Sequence, residues 1–152
     1  MKQLAWMLLC LSATTHATEI TGTVFRVIDG DTLIMFTPER VPHTVRLTEI
    51  DAPERKQPYG AKASAALDAL CTGKPVVVHS TKKDRFDRTL GRVFCDGKDA
   101  NADMIAQGAA WVYTRYNTDK SLIPLQRAAK EEEKGLWSDP QPVPPWEWRK
   151  RK

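Results

Sequence analysis

The 152 residues, 41% hydrophobic and 28% charged, suffice for one folded domain with one core. A formal charge of +4 suits a polyanionic partner without demanding one. Only the N-terminal run is apolar enough to concern a membrane, and it is too short to span one.

That run has the order of an export signal. Met1-Lys2 is positive, Leu4 to Leu11 is apolar, and Thr15-His16-Ala17 supplies small residues where a signal peptidase cuts. Bulky Leu9 before Cys10 argues against a lipoprotein site. Cleavage after Ala17 removes 17 of the 152 residues and leaves 135, with a formal charge of +3. The expected division is a signal over residues 1–17, a domain over 18–138 and a Pro/Trp-rich basic tail over 139–152. The expected location is the periplasm or the medium, with no stable membrane association once the signal is gone. Cys71 and Cys95 then remain, and two readings fit them: a disulfide, which export favours, or two separately buried thiols.

Ile20 to Ile28 reads as a strand, Asp29-Gly30 as a turn and Thr32 to Phe36 as the returning strand. Pro38-Glu39-Arg40 interrupts, and alternation over His43 to Ile50 predicts a third strand of a meander. Tyr59-Gly60 opens a helix whose Ala63, Ala66, Leu67, Leu70 and Cys71 share a face, and Thr72 to Pro75 stops it. Pro75 to Thr81 and Thr89 to Cys95 are strands, the second closed by the Asp96-Gly97 hairpin signal. Asn101 is placed to cap a helix ending at Gln107, before Gly108. Ala109 to Tyr113 is a short apolar piece. Ser121 to Lys134 is the last helix, with Leu122, Leu125 and Ala129 inward, Pro124 in its first turn and Gly135 after it. Four prolines in 139–145 predict an extended tail. The pattern is α+β and mainly β: a Greek-key barrel with helices outside it.

Two acidic clusters and one arginine stand out: Asp29-Gly30-Asp31-Thr32, Arg46, and Asp51-Ala52-Pro53-Glu54. Alone, Asp29-Gly30 is a hairpin turn and Arg46 a surface residue. Together they supply oxygen ligands for a hard cation and a planar fork for a phosphate. His43 and His79 look like strand residues, with nothing pairing them into a zinc site.

These segments, with Tyr59-Gly60, Ala63-Ser64, Asp84-Arg85-Phe86-Asp87-Arg88, Asp96-Gly97-Lys98, Gln107-Gly108 and Gly135-Leu136-Trp137, resemble the staphylococcal nuclease family over nearly all of the chain after the signal. The resemblance implies a five-stranded OB-type barrel with three helices outside it. It also implies Ca²⁺-dependent cleavage of DNA and RNA that leaves 3′-phosphate ends; the expected state is a monomer. By the same resemblance Asp31, Asp51 and the Ala52 carbonyl are the calcium ligands, Asp29 stands behind them, Glu54 holds the attacking water, and Arg46 and Arg88 grip the phosphate. Ala52 stands where the family often has threonine, a position from which only the carbonyl is required. Asp87 replaces a family glycine and brings a negative charge beside the clamp. A shifted reading would nominate Arg92, but leaves only Val93 to Cys95 as strand before the hairpin. Lys83, Arg85, Tyr113 and Tyr116 are candidate substrate contacts, as is Phe86; each has an ordinary surface or rim role as its alternative.

Two rivals frame the expectation. A non-catalytic OB module binding single-stranded nucleic acid needs basic and aromatic residues but has no use for Asp31, Asp51 and Glu54 together. A calcium-stabilised structural domain needs the carboxylates and neither arginine.

Overall fold

The computed structural model describes residues 17–151. The proposed export signal therefore lies, but for Ala17, outside the described residues. Strand β1 (Thr18–Asp29) turns at Gly30-Asp31 into β2 (Thr32–Phe36), and β3 (Pro42–Leu47) completes an antiparallel meander. After the two-residue β4 (Ile50–Asp51) comes helix α1 (Gly60–Cys71), then the hairpin of β5 (Pro75–Lys83) and β6 (Thr89–Cys95). Asp96 (φ 50°) and Gly97 (φ 76°) form the left-handed turn into β7 (Lys98–Asp99).

Closure follows from two features. β1 pairs with β5 through Thr18–Thr23 and with β2 through Thr23–Asp29, its register shifting at the exposed Phe25, so one long strand serves two neighbours. β3 then pairs in parallel with β6 (Val45 with Thr89, Leu47 with Gly91), closing a five-stranded barrel in the order β3-β2-β1-β5-β6. A parallel pair needs a long crossover, which α1 and β5 provide. This is the mainly β, OB-type α+β architecture expected.

Inward positions of the strands are apolar: Val24, Leu33, Met35, Val45, Leu47, Val76, Val78 and Val93 are all at most 2% exposed. Leu67 of α1 and Met104 and Ile105 of α2 (Ala100–Ala106) cap that core. Cys71 at the end of α1 is disulfide-bonded to Cys95 of β6, tying the inserted helix to the barrel. A second cluster joins Ala129 of α3 (Leu122–Glu131) to Leu136 and Trp137, with Trp111 of β8 (Trp111–Val112) against it. β8 pairs with β4, carrying the 111–120 segment to the acidic loop.

Four elements differ from expectation. The third strand ends at Leu47 because Glu49 turns left-handed (φ 65°), and Ile50-Asp51 pairs with a different sheet. The cap of α2 is Asp99, which accepts the Ala102 amide. Asn101 is wholly buried instead, its Oδ1 taking the Val93 amide at 2.9 Å and its Nδ2 donating to the Thr48 carbonyl at 2.7 Å. α3 stops at Glu131, and left-handed Glu133 (φ 51°) lies beyond it. The proline-rich tail is not extended throughout: Pro145, at the first helical position, starts the single turn α4 (Pro145–Trp148), and Arg149–Arg151 continues as 3-10 helix.

Candidate active site

The acidic loop is drawn together by a tight approach at Gly30. A β-carbon there would lie 2.6 Å from Ala52 Cβ and 2.9 Å from Ala63 Cβ, so only glycine lets the β1–β2 turn press on β4 and α1. The Asp31 carboxylate thereby reaches the far segment: Oδ2 accepts the Ala52 amide at 2.8 Å, and Oδ1 the Thr32 hydroxyl at 3.1 Å. Asp29 Oδ1 accepts the Asp31 amide at 3.1 Å, fixing the turn.

Arg46 comes from the outward face of β3 and is held flat. Its Nη1 donates to the carbonyls of Leu47 (2.8 Å) and Ile50 (3.2 Å), and its Nη2 lies 3.1 Å from Asp51 Oδ1 and 3.3 Å from Asp31 Oδ2. One guanidinium therefore spans both aspartates. The kink at Thr48-Glu49 makes this possible, because it swings Asp51 back beside Arg46.

Glu54 is placed by Gln57, whose Oε1 accepts the Glu54 amide at 3.0 Å. Gly60 permits the same turn, since a β-carbon there would sit 2.0 Å from the Glu54 carbonyl oxygen. A third charge arrives from the far end of the chain. Arg149 Nη2 donates to Asp51 Oδ2 at 2.7 Å, and its Nη1 donates to Asp51 Oδ1 at 3.2 Å and Glu54 Oε1 at 2.8 Å. Asp51 and Glu54 are thus close enough for one guanidinium to bridge them.

The buried charges disturb one another. Burial and the neighbouring Asp31 push the Asp29 carboxyl up to about 6. Burial also raises Asp51, against the opposing pull of Arg149 and Arg46. Desolvation weakens the charged form of Arg46, but Asp31, Asp51 and Asp29 outweigh it and hold it cationic.

The residues present fit a hard cation. Asp31, Asp51 and Ala52 meet at one loop junction, where Asp31 accepts the Ala52 amide, and crowded, desolvated carboxylates favour positive charge among them. No group of three or more Asp, Glu, His or Cys side chains among the described residues is arranged to hold an ion alone.

The second arginine stands apart. Two residues before Leu90, which pairs with Arg46, Arg88 falls on the Arg46 face of the β3–β6 ladder. Its Nε and Nη2 both lie 2.8 Å from Asp84 Oδ2, and no ion pair links it to Asp31, Asp51 or Glu54 among the described residues. Asp87 adopts the left-handed conformation (φ 60°) for which glycine is the usual choice, and Lys83 neutralises it at 2.7 Å. Arg85 and Arg88 lie over the exposed Phe86 ring, 4.7 and 5.5 Å from its centroid. Arg92 is committed elsewhere, to Asp99 (2.6 Å), Asp119 (2.9 Å) and Glu49 (3.6 Å). Tyr113 and Tyr116 meet edge to face at 5.0 Å, on a segment that Glu49 secures through the Tyr113, Thr118 and Asp119 amides. Trp146 stacks on Tyr113, centroids 5.4 Å apart.

Sequence reasoning missed Arg149, Trp146 and Gln57. The basic run after Trp146-Glu147-Trp148 was a signal of the first, and the Glu54-x-x-Gln57 spacing, a turn closed by its own side chain, a signal of the last.

Residues 44–139 match the family described as Staphylococcal nuclease homologue. The chain is 44% identical over 149 residues to an "Uncharacterized endonuclease" of Escherichia coli O157:H7, covering 97% of this chain and 92% of the relative. It is 38% identical over 128 residues (84% and 72%) to an "Uncharacterized endonuclease" of Haemophilus influenzae, and 36% identical over 140 residues (85% and 80%) to a "Micrococcal nuclease" of Shigella flexneri. With the closed barrel and the Asp31–Arg46–Asp51 cluster, these likenesses establish that the chain belongs to the staphylococcal nuclease family.

Proposed function

We propose that this chain is an exported, calcium-dependent endonuclease that hydrolyses phosphodiester bonds of DNA and RNA and leaves 3′-phosphate ends. The observation that carries the reading is Arg46 spanning Asp31 and Asp51 while Glu54 stands beside Asp51, within reach of one guanidinium. A nucleic-acid-binding barrel gains nothing from three crowded carboxylates, which repel the backbone. A hydrolase needs them.

Asp31, Asp51 and the Ala52 carbonyl would hold calcium, which when bound supplies Lewis-acid charge to a phosphoryl oxygen. Glu54, its backbone fixed by Gln57, holds the attacking water and takes its proton. Attack at phosphorus breaks the P–O5′ bond and the departing oxygen takes up a proton from solvent, leaving a 3′-phosphate and a 5′-hydroxyl. Arg46 offers its fork as negative charge gathers on the phosphoryl oxygens, and Arg88 approaches from the adjoining strand end after exchanging Asp84 for phosphate. Lys83, Arg85 and the Phe86, Tyr113 and Tyr116 rings line the approach for the backbone and bases.

Export is supported by the N-terminal segment and by the Cys71–Cys95 disulfide, which is stable in an oxidising compartment. No helix among the described residues is long and apolar enough to cross a membrane. The deciding assay incubates the protein with plasmid and with single-stranded DNA, with calcium or with chelator. Calcium-dependent degradation supports the enzyme, and retention without cutting would favour the binding module.

A further inference from the structure

Arg149 has no part in the reaction just described, yet it holds two of its central groups. Its fork takes both oxygens of Asp51, whose side chain is only 2% exposed, and one oxygen of Glu54. The segment that delivers it is docked rather than draped. Gln57 Nε2 donates to the Val143 carbonyl at 2.6 Å, Pro145 is buried, and Trp146 packs on Tyr113 and edge-on against Trp111 at 5.7 Å. Gln57 therefore ties the Glu54 loop and the C-terminal segment together.

The charge balance explains why a guanidinium sits there. Asp31, Asp51 and Glu54, with Asp29 behind them, crowd carboxylates beside the single positive charge of Arg46, and Arg149 makes up part of the deficit. A divalent cation would do so more completely. Arg149 and an ion compete at Asp51, because the Arg149 fork occupies both carboxylate oxygens and like charges at that distance repel.

We propose that the C-terminal segment is a built-in plug in which Arg149 acts as a resident counter-ion, so that a divalent cation binds at Asp51 only by displacing it. The inference rests on the calcium reading above. With the plug seated, Glu54 Oε1 is engaged by Arg149 and is not free to hold water; cation binding, by expelling the guanidinium, releases it. Metal loading and exposure of the base become one event. Tyr113 would also be uncovered as Trp146 leaves its face.

Calorimetric titration of calcium into the full-length wild type, Arg149→Ala, Arg149→Lys and Trp146→Ala tests this without any activity measurement. An apparent affinity scales with the fraction of open molecules, so a plug seated in roughly nine of ten molecules makes Arg149→Ala bind calcium about tenfold tighter than wild type. Trp146→Ala, which keeps the charge and loosens the docking, should shift in the same direction, and Arg149→Lys should fall between. Equal affinities in wild type, Arg149→Ala and Trp146→Ala would overturn the plug while leaving the calcium site standing. Absence of calcium binding in all four would overturn both. Folding of each variant is checked by its thermal melt.

Discussion

Asp31 and Ala52 lie 21 residues apart, and the Asp31 carboxylate accepts the Ala52 amide at 2.8 Å. This bond joins the first hairpin to the loop that carries Glu54, and it exists because Gly30 leaves no side chain between them. Gly30→Ala would force its methyl onto Ala52 and Ala63. It is expected to cost about 1–3 kcal/mol of stability and to lower turnover disproportionately by shifting Asp31. Denaturant unfolding and cleavage rates, measured on the same preparation, check both.

Arg88 and Arg92 should separate cleanly. Arg88 is one-third exposed and tied to a single carboxylate, so Arg88→Ala should leave the melting temperature nearly unchanged while lowering turnover by about 10²–10³-fold. Arg92 joins Glu49, Asp99 and Asp119 between the barrel and the 114–120 segment. Arg92→Ala should destabilise by about 2 kcal/mol, less than a fully buried network would lose, with turnover falling only as the fold loosens. The reverse ranking in kinetics would show that the phosphate contact comes from the later strand position.

The same ion pairs set an acid limit. Partial desolvation pushes Asp84 up, but the Arg88 and Phe86 amides and the Arg88 guanidinium outweigh it and hold the carboxyl below its ordinary 3.8. Asp119 is likewise lowered, chiefly by hydrogen bonds from Ser121 and then by Arg92. Carboxyls depressed on folding contribute stability that is present above the unfolded value and lost as pH falls through the folded one. Unfolding free energy should therefore decline below about pH 4, and Asp84→Asn should decline less steeply. Parallel slopes in the two proteins would remove Asp84 from the account.

The Cys71–Cys95 bridge closes a loop across 24 residues and anchors α1, the helix that Gly30 packs against. Reduction should cost about 3 kcal/mol. Intact mass with and without reductant, followed by a melt of each form, tests it. A mass that reductant leaves unchanged would mean two free thiols.

Local signals were legible in the sequence. Thr32–Phe36 and Thr89–Cys95 were read to the residue, because β-branched runs ended at Asp-Gly turns or prolines. The acidic loop was legible through its residue types, although the geometry that joins Arg46 to both aspartates depends on Glu49 turning left-handed, which a glutamate does not advertise. The sequence places Asn101 as a cap because capping and buried bridging call for the same side chain. Only the tertiary fold brings the Val93 amide and Thr48 carbonyl to it. Arg149 was out of reach for a similar reason. Its partners lie 95 and 98 residues away, and the prolines before it predict an extended tail without indicating which carboxylates the tail meets.

The most direct test of the central claim is hydrolysis of plasmid and single-stranded DNA by wild type, Asp31→Ala and Glu54→Gln, each with calcium and with chelator, on proteins shown to be folded. Degradation by wild type with calcium alone, an end group carrying the phosphate at its 3′ position, and loss of about 10²-fold or more in both variants are predicted. Cutting by Asp31→Ala or Glu54→Gln at the wild-type rate would contradict the assignment of these carboxylates to the chemistry.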